Sequence, residues 1–113
     1  MVQNRKKLID LFIGNISNSI VHKILEKATD NKDLADKYNK ELLNSLNIAK
    51  RYRNKINPVN AHFPNKDTEY IRNRIANKIK AELLLRISKG YKNIDLSLVE
   101  ELVDAALKDT NVI

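Results

Sequence analysis

The chain contains no cysteine among its 113 residues. It therefore has no disulfide, no thiolate ligand for zinc or an iron–sulfur cluster, and no thiol nucleophile. Tryptophan is also absent, and aromatic residues make up only 5% of the sequence. Few side chains are available to stack on the bases of a nucleic acid.

Long hydrophobic runs are missing as well. No stretch approaches the ~20 apolar residues that a membrane-spanning helix needs. The polar, basic residues 1–7 are followed by an apolar run that Asp10, Gly14 and Asn15 interrupt, unlike the core of a signal peptide. We therefore expect a cytoplasmic protein with no membrane partner.

Glycine and proline are scarce, with two copies of each, and such sparse punctuation predicts long helices. Apolar residues recur at three- and four-residue steps over about residues 5–28, the pattern of a wide buried helix face. Gly, Asn and Ser within residues 14–19 lower the helix propensity and predict a kink or break. A second helix begins after Thr29 or Asp30, either of which can cap it. It ends by Asn57 because Pro58 disfavours a helical residue before it.

Two further helices follow the loop at residues 57–66, which contains both prolines. The third begins near Asp67 or Thr68 and runs to about Lys89, where Gly90 can end it. Its apolar residues step by four, a ladder that we expect to face the core: Ile71, Ile75, Ile79, Leu83 and Ile87. The capping-box pattern from Ser97 to Glu100 starts a short fourth helix. The prediction is a single helical domain, residues 1–113, with an all-α fold: an antiparallel bundle of three long helices plus a short C-terminal helix.

Positive charge is concentrated in the middle of the chain. Residues 49–92 hold twelve basic and three acidic residues, whereas residues 93–113 hold one basic and five acidic residues. This pattern suggests an anionic partner, either RNA or DNA or an acidic protein. The end of the second helix and the start of the third supply the predicted contacts to the anion: Lys50, Arg51, Arg53, Lys55, Arg72, Arg74 and Lys78.

The acidic C-terminal helix has two interpretations. Its carboxylates can fold back on the basic segment of its own chain or of a second copy, and so compete with an external anion. Alternatively, its apolar residues complete the core and the carboxylates remain in water, where exposed ion pairs stabilise little. The core interpretation is the better account of stability.

Signals for catalysis are weak. No serine lies in a nucleophile-elbow motif, and the sequence has no glycine-rich phosphate loop. His22 and Glu26 supply only half of a helical metal site, so we expect no metal and no cofactor. The function predicted is a non-catalytic helical interaction module with a basic central face. The alternative is a small helical nuclease or hydrolase that uses His62 with Arg53.

Self-association is also predicted. Five large apolar residues crowd into six positions of the first helix, more than one bundle face can cover: Leu8, Ile9, Leu11, Phe12 and Ile13. We therefore expect a homo-oligomer in which a second chain covers part of this surface. The alternative is a core that lies wholly within one chain.

Overall fold

The computed structural model describes residues 4–57 and 63–113, and over these ranges every regular element is helical. The elements are α1 (Arg5–Ala28), α2 (Lys32–Ile56), α3 (Asn65–Ser88), a 3-10 turn (Leu96–Leu98) and α4 (Val99–Asp109). The predicted all-α bundle of three long helices and a short fourth is confirmed. Within the described residues, no helix is both long and apolar enough to span a bilayer.

Cross-helix contacts show the direction of each helix. Asn18 of α1 donates a hydrogen bond to Ser45 of α2 over 2.6 Å, and the rings of His22 and Tyr38 lie 5.8 Å apart. The position on α2 falls as the position on α1 rises, so α1 and α2 are antiparallel.

The first turns of α1 and α3 lie side by side. Arg5 pairs with Asp67 at 2.8 Å, and Tyr70 donates a hydrogen bond to Asp10 over 3.2 Å, so these two helices are parallel. Within the described residues α2 and α3 make no substantial contact, because α1 packs against both. This separation decides which surface residues can act together.

Helix α1 is the centre of the fold and is continuous through residues 14–19, so the predicted break is wrong. Asn15 donates a side-chain hydrogen bond to the carbonyl of Leu11 over 2.8 Å. Ser17 donates to the carbonyl of Ile13 over 2.7 Å. These polar side chains are satisfied within their own helix, and core contacts on either side outweigh the low propensity.

The apolar cluster near the start of α1 is buried within the chain. Leu8, Ile9, Phe12 and Ile13 are each at most 5% exposed. Leu11, the fifth member of the cluster, is only partly buried. One chain therefore covers most of this surface by itself, and self-association stays a prediction.

The core ladder of α3 is shorter than predicted. Ile71, Ile75, Ile79 and Leu83 are fully buried, but Ile87 is 39% exposed. A step of four residues drifts about 40° around a helix, and by the fifth member the side chain has turned out of the core. Gly90 ends the helix as predicted, at a positive φ of 100°.

Two predicted caps are corrected. Asn31, rather than Thr29 or Asp30, caps α2 by accepting a hydrogen bond from the backbone N–H of Leu34 over 3.0 Å. The Ser97–Glu100 capping box does not form. Asp95 instead accepts hydrogen bonds from the N–H and the hydroxyl of Ser97 at 3.0 and 2.6 Å.

Helix α4 runs antiparallel to α3 and closes the core. Val99, Val103 and Leu107 are fully buried, which supports the interpretation of this segment as core. Its last turn leads into residues 110–113, whose Val112 carbonyl accepts a hydrogen bond of 3.4 Å from the N–H of Phe63.

Candidate nucleic-acid interface

Arg53 is the most buried charged residue, with 1% of its surface exposed. Its Nε donates to the carbonyl of Thr110 and its Nη2 to that of Asn111, each over 2.9 Å. Its Nη1 donates to the side-chain oxygen of Asn57 over 2.5 Å and to the carbonyl of the same residue over 3.3 Å. The ring of Phe63 lies 4.5 Å from the guanidinium carbon.

These partners explain how a cation can be buried here. Asn57 and Thr110 are the C-caps of α2 and α4, so the guanidinium lies where the negative ends of two helix dipoles meet. Burial lowers the pKa of Arg53 from its usual value. The side chain contacts the protein's own backbone rather than the solvent-facing surface on which we expected it.

Two other predicted contact residues are engaged by acidic residues. Lys50 lies 3.5 Å from Asp109, and Arg72 lies 3.0 Å from Asp104. Both acids belong to α4 or its last turn, so the acidic segment does fold back on the basic segment of its own chain. The groups are partly exposed, and each pair therefore stabilises the fold by at most about 1 kcal/mol.

Arg51 and Lys55 are exposed on the last turns of α2. Neither forms an ion pair with any residue in the described ranges. The Lys55 ammonium lies 5.7 Å from the ring centre of Tyr52. These two side chains are the members of the predicted set that remain available to an external anion at this end of the molecule.

Arg74 and Lys78 are exposed on α3 and are separated from the α2 cations by α1. They line a surface concavity together with Asn77. The seven predicted contact residues therefore lie in four different places. Arg53 is a buried hub that joins helix ends, Lys50 and Arg72 pair with α4, and the other four form two separate exposed groups, one on α2 and one on α3.

The helix directions create a basic end that the sequence analysis only partly identified. It comprises the start of α1, the end of α2, the start of α3 and the end of α4, or residues 4–10, 50–57, 63–72 and 108–113. These segments carry ten basic and four acidic residues. The opposite end, residues 23–41 and 82–101, carries eight basic and nine acidic residues.

Besides Lys108 in the last turn of α4, three exposed lysines of the basic end were missed: Lys6, Lys7 and Lys66. They come from the first turns of α1 and α3, which the fold places at the same end of the molecule as the last turn of α2. The sequence signal for the first two was the basic N-terminal stretch, which becomes informative only when helix directions are known.

The proposed catalytic pair is only partly visible. His62 lies outside the described residues, and Arg53 is the buried hub. The Nδ1–H of His22 donates a hydrogen bond to the carbonyl of Asn18 over 2.7 Å. In the described part of the chain, no three acidic or histidine side chains come together as a metal site.

Comparison with known proteins gives no match. Neither a protein-family model, nor a curated protein, nor a solved structure has significant similarity to this chain.

Proposed function

We propose that the protein is a non-catalytic helical interaction module that binds the phosphate backbone of a nucleic acid through its basic end. The observation that carries the proposal is the division of charge along the bundle. One end has six more basic than acidic residues, and the opposite end has one more acidic than basic residue. The electrostatic field of this uneven charge attracts a polyanion to the basic end.

The side-chain chemistry of the basic end favours phosphate over an acidic protein. A protein interface usually has an apolar core within a polar rim. Among the described residues, large apolar or aromatic side chains are exposed mainly elsewhere, and only Tyr70 of this group lies at the basic end: Leu34, Leu43, Tyr70, Leu84, Leu85, Ile87 and Tyr91. Lysine and arginine without an apolar centre suit contacts to a nucleic-acid backbone.

The competing nuclease or hydrolase would need the Arg53 guanidinium to touch its substrate. The side chain is 1% exposed and donates to three backbone carbonyls. Among the described residues, no observation supports that alternative. Replacement of His62 by alanine should leave nucleic-acid binding unchanged, and nuclease activity that this change abolishes would favour the enzyme instead.

The direct test is fluorescence anisotropy with a labelled single-stranded oligonucleotide between about 50 and 200 mM salt. We expect affinity to fall steeply with salt, because each neutralised phosphate releases counterions. A variant with Lys6, Lys7, Arg51 and Lys55 all changed to glutamate should lose roughly tenfold or more in affinity.

A matched control has the same change of charge at the opposite end. It replaces Lys23, Lys27, Lys37 and Lys40 with glutamate, and all four are exposed. Circular dichroism should show both variants folded. Equal losses of affinity in the two variants would mean that only net charge matters, and salt-independent binding would contradict the phosphate contacts.

A further inference from the structure

Helix α3 carries cations on two opposite flanks. On one flank, Arg72 and Lys80 pair with Asp104 and Glu100 of α4 at 3.0 and 2.7 Å. Below these pairs, the apolar face of α4 enters the core. This flank therefore shows the kind of element that α3 accepts, an acidic amphipathic helix.

The other flank has the same cations without the acidic helix. Arg74 and Lys78 lie two residues from Arg72 and Lys80 along the chain, or about 200° around the helix. Both are exposed, and neither is paired with an acid in residues 4–57 or 63–113.

A groove between α1 and α3 lies beside these two cations. Its cavity of about 500 Å³ is bordered by Gly14 and Val21 of α1 and by Lys78, Ala81 and Leu85 of α3. Leu85 is 49% exposed at its edge. Glu82 also borders the groove, where its carboxylate is paired with Arg86 over 3.0 Å. The groove thus combines an apolar rim with a net excess of positive charge.

Gly14 of the groove has no internal reason to be glycine. It lies inside α1, where glycine destabilises a helix by about 0.5–1 kcal/mol relative to alanine. A Cβ atom at this position would meet no atom within 4 Å apart from its chain neighbours and the backbone of its own helix. The missing side chain instead leaves the groove open to a molecule from outside.

The outer face of α3 next to the groove is uncharged from residue 70 to residue 88. Nine of the 24 residues of α3 are charged, yet none lies on this strip: Tyr70, Asn73, Asn77, Ala81, Leu84 and Ser88. A solvent-facing helix surface normally carries the charges of its helix. Leu84 is 55% exposed on the strip, so the apolar surface extends beyond the groove.

We propose that the groove between α1 and α3 docks an acidic amphipathic helix of another protein. Its apolar side chains would contact Leu85, Val21 and the open position at Gly14. Its carboxylates would pair with Arg74 and Lys78, as those of α4 pair on the opposite flank. A second copy of this chain fits less well, because it would bring the same unpaired cations together.

The test uses a synthetic helical peptide of about 18 residues, with leucines on one face and glutamates four apart beside them. We expect fluorescence anisotropy to show binding that a peptide with lysine in place of each glutamate lacks. Two variants address the two components of the groove. Arg74→Glu with Lys78→Glu reverses its charge, and Gly14→Leu fills it without changing any charge.

Each variant should weaken peptide binding roughly tenfold, whereas Lys37→Glu with Lys40→Glu on exposed positions of α2 should have little effect. No peptide binding, or equal losses in all variants, would overturn the proposal. If the chain dimerises and Gly14→Leu abolishes the dimer, the occupant of the groove is a second copy of the chain. If the groove variants abolish oligonucleotide binding, the occupant of the groove is a nucleic acid. The basic-end variants report separately on the proposed function, so the two proposals can fail independently.

Discussion

The Nε of Arg53 donates a hydrogen bond of 2.9 Å to the carbonyl oxygen of Thr110, 57 residues further along the chain. Thr110 ends α4, and Arg53 lies in the last turn of α2. One side chain therefore connects the ends of two helices that otherwise make little contact. The sequence analysis assigned Arg53 to an external anion, but its contacts indicate a role in folding.

Replacing Arg53 with methionine should destabilise the protein by roughly 3 kcal/mol. The change removes the Arg53 donors to the buried carbonyl oxygen of Thr110 and the half-buried one of Asn111. Hydrogen bonds from a charged donor contribute more than neutral ones. Arg53→Lys should recover only part of the loss, because an ammonium cannot reproduce the guanidinium fork. Urea denaturation measures both variants.

The matched control is Arg51→Met, which makes the same chemical change at an exposed position. It should alter the free energy of unfolding by less than about 0.5 kcal/mol. Similar losses at both positions would show that the buried hydrogen bonds contribute little.

The cap at Asp95 should make stability depend on pH. Hydrogen bonds from the Ser97 hydroxyl and N–H lower the pKa of the Asp95 carboxyl below its usual value. Its contribution to stability is therefore present above the unfolded-state pKa, about 3.9, and is lost as pH falls through the lower folded-state pKa. The difference in melting temperature between the wild type and Asp95→Ala should be largest near neutral pH and should shrink below this range.

A second variant, Ser97→Ala, removes the hydroxyl donor but keeps the carboxylate. It should show a smaller loss over the same pH window. A melting-temperature difference for Asp95→Ala that stays constant with pH would contradict the role of the ionised carboxylate.

Helix α4 should stabilise the protein through its apolar face rather than through its charges. Leu107→Ala should lower the free energy of unfolding by roughly 3 kcal/mol, because the side chain is fully buried. Neutralising Glu100, Asp104 and Asp109 as Gln, Asn and Asn should cost at most about 1 kcal/mol per pair. Chemical denaturation compares the two variants.

The same triple neutralisation should raise oligonucleotide affinity at low salt. It releases Lys50, Arg72 and Lys80 from their acidic partners and makes the surface more positive. Unchanged affinity would show that α4 does not compete with an external anion, and a large loss of stability would mean that the ion pairs hold the helix in place.

The end of the α3 ladder can be located by two alanine variants. Leu83→Ala should destabilise the protein by roughly 2–5 kcal/mol, since this side chain is fully buried. Ile87→Ala should cost much less, because Ile87 is 39% exposed. Thermal unfolding measures the loss of stability in each variant. Equal losses of stability would place Ile87 in the core.

Gly14→Ala should stabilise the protein by about 0.5–1 kcal/mol. The added methyl group has no neighbour within 4 Å, and alanine loses less backbone entropy than glycine when the helix forms. The free energy of unfolding from urea titration measures the gain. A loss of stability would mean that the position is more confined than the structure shows.

Local signals were sufficient for most of the helices. The predicted limits of α1 were close to Arg5 and Ala28, and α2 ended where Pro58 required it. Caps were harder to predict because Thr29, Asp30 and Asn31 are all competent acceptors, and only the path of the turn selects one. The supposed weak segment of α1 remained helical because tertiary packing outweighs a propensity difference of about 1 kcal/mol per residue.

By itself, the sequence determined the helical class, the number of long helices and the excess of positive charge, since these follow from periodicity, punctuation and composition. Only the tertiary structure decided where that charge is available. Lys50 and Arg72 became partners of α4, and Arg53 became a buried hub. Lys6 and Lys7 lie at the same end as Arg51 and Lys55, more than 40 residues further along the chain, because α1 and α2 are antiparallel. Charge is additive along a sequence, but its accessibility depends on which helix ends meet and which side chains the core encloses.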